Sequence, residues 1–103
     1  MYVDLLERAL DDWVSEASDE ELIEHALTCR LEMLIAGPRY GENVYAALAA
    51  ELAYDRSLIK LSETHNIGAT PARFLRPGEE RRRLEHALRD AGVDLTELAR
   101  RRA

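Results

Sequence analysis

A chain of 103 residues, 47% apolar and 33% charged with a net charge of −6, has the composition of one globular domain spanning residues 1–103, with length enough to bury roughly two-thirds of its unfolded surface. These proportions exclude a disordered or fibrous chain. The one cysteine excludes an internal disulfide, and the longest apolar run, Val44 to Ala50, falls far short of the about 20 residues that span a bilayer.

Strand-like alternation never exceeds four residues, whereas helical spacing of apolar residues recurs along the whole chain. The first helix is predicted over about residues 5–15. Asp4 and Glu7 form a capping-box pattern, and Leu5, Leu6, Ala9, Leu10, Trp13 and Val14 draw an apolar stripe. A second helix over 19–36 repeats the device with Ser18 and Glu21. Its stripe runs through Leu22, Ile23, Ala26, Leu27, Arg30, Leu31 and Leu34 to a Gly37-Pro38 stop, and Arg39-Tyr40-Gly41 makes a tight connection. The longest helix, about 42–65, carries alanines at 46, 47, 49, 50 and 53 beside larger apolar residues. Small side chains permit close approach, so this helix is expected at the centre of the bundle. Asn66 is a left-handed cap followed by apolar Ile67, and Thr70-Pro71 opens a short helix over 71–75. Pro77-Gly78 interrupts, a helix follows over 79–91, Gly92 ends it, and Asp94 with Glu97 caps a last helix over 95–102. The expected fold is therefore all-α: a compact bundle of four main helices plus one or two short ones, without a sheet.

Charge is sorted along this chain. Residues 1–36 hold ten acids against two arginines, whereas residues 71–103 hold nine arginines against six acids. Such sorting points to association within or between chains. The acidic residues Asp11, Asp12, Asp19, Glu20 and Glu24 are candidates for one partner-binding face, and Arg100, Arg101 and Arg102 for another. If the two faces meet between copies, a homodimer results.

Chemistry-bearing motifs are sparse. Glu21, His25 and Cys29 stack at four-residue spacing on one helix face, the only weak metal or thiol grouping. A mid-helix thiol gains little from the helix dipole, so Cys29 is expected as a small buried hydrophobe and His25 as an exposed neighbour. Glycine-rich phosphate loops, nucleophile elbows, paired metal-binding cysteines and Glu-x-x-His pairs are all missing from the sequence. No cofactor, no metal and no catalysis are expected. Tyr54-Asp55-Arg56 lies mid-helix, where Asp and Arg are expected to face water or a neighbouring helix.

The stretch from Leu58 to Arg76 resembles a helix-turn-helix: a helix, a left-handed residue at Asn66, an apolar turn residue at Ile67, and a short second helix bearing Arg73 and Arg76. The resemblance implies that those two arginines meet DNA, with Arg81, Arg82 and Arg83 adding backbone contacts. Pro71 near the start of the second helix, Gly68 at the usual cap and the early Pro77 all depart from the pattern. The competing expectation is a helical corner in which Ile67 and Phe74 plug the end of the bundle. Glu79 with Arg83 and Glu85 with Arg89 are expected as ion pairs along one turn. Met1-Tyr2-Val3-Asp4 lacks the basic start and apolar core of a signal peptide, so a cytoplasmic location without a membrane partner is expected. The sequence as a whole favours a small non-catalytic interaction or regulatory module that binds another protein or itself, with a DNA-associated regulator as the alternative.

Overall fold

The computed structural model describes residues 1–13, 17–36 and 44–102. Among these, five α-helices and one 3-10 turn are present and no strand: α1 Tyr2–Asp11, α2 Asp19–Ala36, α3 Val44–Thr64, the 3-10 turn Pro71–Arg73, α4 Pro77–Asp90 and α5 Leu95–Arg102. The all-α expectation holds. The expected stops and connection at Gly37, Pro38, Arg39, Tyr40 and Gly41, and the expected stripe residue Val14, lie outside the described residues.

α3 is the central rod. It packs against α1, α2 and α4, and Tyr54, Leu58, Ile59 and Leu61 along it are buried. Leu6 from α1, Leu22, Ala26, Leu27 and Cys29 from α2, Leu84 and Leu88 from α4, and Leu95 from α5 complete the core. Of the alanines expected to admit a neighbour, Ala47 and Ala50 are buried while Ala46 and Ala49 face outward.

Several helix ends follow from local chemistry. Ser18 Oγ accepts the Glu21 N–H at 3.2 Å while the Glu21 carboxylate accepts from Ser18 N at 3.3 Å and Oγ at 3.0 Å, a closed capping box. Asn66 adopts φ 58°, and Ile67 N donates to Ser62 O at 2.9 Å, the 6→1 bond of a Schellman close. Gly92 repeats this at φ 100°, with Val93 N bonded to Leu88 O at 2.8 Å. The Asp94 carboxylate caps the Glu97 N–H at 3.1 Å.

Other expectations are corrected. α1 begins at Tyr2 rather than Leu5, with Met1 as its cap, so Asp4 lies inside the first turn and forms no capping box there. α1 also stops at Asp11, and Trp13 leaves the helix to lie edge-on to His25 at 5.6 Å and beneath the Arg56 guanidinium at 4.9 Å. Arg56 also donates to Ala9 O at 3.2 Å, tying the exit of α1 to α3. The short helix over 71–75 is a three-residue 3-10 turn, and Pro77 is the first residue of α4 rather than a break before it. Proline suits that place because its missing N–H would be unpaired there anyway.

Candidate functional site

Two regions carry side chains in arrangements that the apolar pattern does not require. The first surrounds the buried middle of α3. Asp55 is fully buried, and Arg81 of α4 grips it with two bonds, Nε to Oδ1 at 2.7 Å and Nη2 to Oδ2 at 2.8 Å. The Tyr2 hydroxyl donates to the same carboxylate. A parallel group sits one residue earlier: the Tyr54 hydroxyl donates to Glu85 of α4, and Arg30 of α2 reaches Glu85 at 3.4 Å. Each is a phenol, a carboxylate and a guanidinium, and together they join α1, α2, α3 and α4.

Burial pushes both phenols far above their ordinary range, and the negative charge of the adjoining carboxylate and the hydrogen bond to it push the same way. Burial also raises the Asp55 carboxyl, while the Arg81 bond, the Arg81 charge and the Tyr2 bond pull it back without cancelling the rise. For Arg81, burial opposes the charge, but the bond to Asp55 and the attraction of its carboxylate outweigh burial and hold the guanidinium above its usual range. These groups are already partnered to one another.

The second region is a surface groove of about 670 Å³ between α2 and α5. Leu27, Leu31 and Leu34 of α2 and Ala99 of α5 supply its apolar lining, and Arg30, Arg100 and Arg102 line it as well. Here the expected stripe of α2 is corrected. Leu31 and Leu34 are 59% and 51% exposed. The buried face of α2 holds Leu22, Ala26 and Cys29, and α5 lines the other side of the groove with Thr96, Ala99, Arg100 and Arg102. Ile35, Val44 and Tyr45 are exposed at the same end of the α2–α3 pair.

The other candidates take the following places. Asp11, Asp12, Asp19, Glu20 and Glu24 are all exposed, as are Arg100, Arg101 and Arg102. The two charged faces touch within the chain, because Arg102 bonds Glu24. Asp19 accepts from His65 at 3.0 Å and Thr64 at 3.1 Å, while Arg100 and Arg101 both pair with Glu97.

Glu21 is spent on its cap. Cys29 Sγ lies 3.6 Å from His25 Nε2 and is buried, which raises its thiol pKa. Among the described residues no group of three or more His, Cys, Asp or Glu side chains could hold a metal ion.

Arg73 and Arg76 are exposed, the latter beside Glu79 at 3.5 Å, and Phe74 is fully buried as the expected plug. Arg82 is exposed. Arg81 is committed to Asp55, and Arg83 holds Glu80 at 2.6 Å and Gly68 O at 2.8 Å. In place of the expected Glu79–Arg83 and Glu85–Arg89 pairs, Glu79 meets Arg76 and Arg83 meets Glu80, each within one turn, Arg89 lies 3.7 Å from Asp90, and Glu85 turns to Tyr54 and Arg30 on other helices.

Of the two faces expected for Asp55, water or a neighbouring helix, the structure shows the second; its full burial and the groove were missed by sequence reasoning. The signal for Asp55 was a carboxylate flanked by core positions at Tyr54 and Leu58. Against known proteins the chain stands apart: no protein-family model, no curated protein and no solved structure matches it. No helix among the described residues is long and apolar enough to cross a membrane.

Proposed function

We propose that this protein is a small non-catalytic interaction module that docks a protein segment in the groove between α2 and α5. The observation that carries the proposal is the groove itself: Leu31 and Leu34 stand half exposed along a concave surface of about 670 Å³, rimmed by arginine. Apolar concavities with a polar rim are where partner helices seat. The sorted charge supports the same reading, since the arginine-rich end of the chain supplies two of the three rim residues.

The buried phenol–carboxylate–guanidinium groups serve as scaffold. Both phenols and the Asp55 carboxylate there are already bonded to other side chains of the protein, and burial holds the phenols in the neutral form.

A photo-crosslinking residue at position 34 tests the proposal, with the same residue at exposed position 75 as control. A protein adduct from 34 and not from 75 is expected. The captured protein, once purified, binds the wild type and not Leu34→Glu. Equal labelling at the two positions overturns the reading. Anisotropy with mixed duplex DNA at low salt covers the alternative: binding lost in Arg73→Glu and Arg76→Glu assigns the molecule to DNA instead.

A further inference from the structure

The rim of the groove narrows its occupant, on the premise that the groove docks a protein segment. We infer that the occupant is an amphipathic helix of a different protein, bearing Asp or Glu on the flanks of an apolar stripe.

The floor sets the shape. Leu27, Leu31 and Leu34 succeed one another at steps of four and three, so they form a single ridge along α2, with Ala99 of α5 across from it. A helix presenting apolar side chains at i, i+3, i+4 and i+7 interdigitates with such a ridge. Phosphate backbones have no apolar stripe to offer it.

The rim sets the charge. Arg30 on one wall and Arg100 and Arg102 on the other line the groove, and no carboxylate does so among the described residues. Each guanidinium has five N–H donors. Arg30 reaches Glu85 through Nε alone, while Arg100 and Arg102 reach Glu97 and Glu24 through Nη2. Arg30 also bonds Tyr54, and on all three guanidiniums the bonds made among the described residues use fewer than five donors, leaving some for an incoming carboxylate.

A second copy of this chain fits poorly. A twofold axis sets the same patch against itself, bringing Arg30, Arg100 and Arg102 against their own counterparts. The acids that could answer them, Asp11, Asp12, Asp19 and Glu20, lie in a stretch where no described residue between 2 and 30 is an exposed large hydrophobic. That stretch offers charge without a ridge.

Two designed helical peptides test the inference. They share one leucine stripe and differ in having glutamate or lysine on its flanks. Titrated into labelled protein at low salt, the glutamate peptide is expected to bind about tenfold more tightly, as several surface ion pairs acting together would give. Arg100→Glu with Arg102→Glu reverses the order, and Arg100→Gln with Arg102→Gln levels it. Leu31→Ser with Leu34→Ser abolishes both complexes, with helicity checked by circular dichroism.

Equal affinity, a preference for lysine, or no binding of either peptide overturns the inference. So does sedimentation showing a dimer that the leucine variant dissolves, which makes the second copy the occupant. In each of these cases the docking reading itself stands or falls separately, on the crosslink from position 34.

Discussion

The middle of α3 and the outer side of α2 reverse the usual distribution of polarity. Around Asp55 a carboxylate, a guanidinium and a phenol are packed where leucine would serve, while on α2 Leu31 and Leu34 face solvent where glutamate would serve. The two departures differ in what they cost. The inner group satisfies its own polar atoms and fixes how α1 and α4 sit on α3, so its worth is felt in folding. Across the groove from the outer leucines α5 sets Thr96, Ala99, Arg100 and Arg102 rather than an apolar side chain of their size, so their cost is exposed apolar area and, under the docking reading, their worth lies outside the fold. Polarity against pattern therefore marks a structural lock in one place and, under the docking reading, a surface for association in the other.

The sharpest way to break the comparison is at Arg81. Arg81→Met leaves Asp55 buried beside Tyr2 without a cation, and chemical denaturation should show a loss of about 3–5 kcal/mol. Arg81→Met with Asp55→Leu removes both charges and should recover most of that loss, because a well-packed apolar pair of similar volume is often no worse than a buried ion pair. A single variant that loses less than about 1 kcal/mol would mean that water reaches Asp55 and that no lock exists.

Much of this fold was legible because its signals are local. Ser18 with Glu21, Asn66 with Ile67, Gly92 with Val93, and Asp94 with Glu97 lie within three residues of each other, and each forms the bonds its chemistry suggests. The inner lock was hidden because Asp55 and Arg81 are 26 residues apart and Tyr2 is 53 from Asp55. No periodicity links such positions, and mid-helix beside Arg56 the aspartate fits a face toward water as well as one toward a neighbouring helix. The groove was hidden for a different reason. The apolar arc of α2 was visible from Leu22 to Leu34, but its width exceeds what one neighbour can cover. Which part stays open depends on where α3 and α5 lie against α2, and that is a property of packing rather than of α2.

A smaller effect sharpens the inner half of the comparison. Tyr2 and Tyr54 both hold their phenolic protons more tightly in the folded protein than in the unfolded chain, chiefly through burial and then through the adjoining carboxylates. An acid whose folded pKa is raised contributes stability that is whole below its unfolded value, about 10 for tyrosine, and that drains away as pH rises past it. The urea midpoint should therefore fall from pH 9 to pH 11. Tyr2→Phe or Tyr54→Phe should each flatten that limb while lowering stability near neutrality by about 1 kcal/mol for the lost hydrogen bond. An alkaline limb unchanged in both variants would show that the phenols are solvated.

The smallest stability effect is expected at the groove, and its smallness is the point. Leu34→Glu replaces a leucine that is 51% exposed and places a carboxylate near Arg30 and the arginines of α5, so the thermal midpoint should shift by no more than a change of about 0.5 kcal/mol implies. Under the docking reading the same substitution removes partner binding. Stability unchanged with binding lost separates a surface kept for association from a surface left over by folding. A loss above about 2 kcal/mol would instead place Leu34 in the core, since only burial of an uncompensated charge or loss of packed area reaches that size. The lock at Asp55 and the open ridge on α2 would then be two parts of one interior rather than opposites.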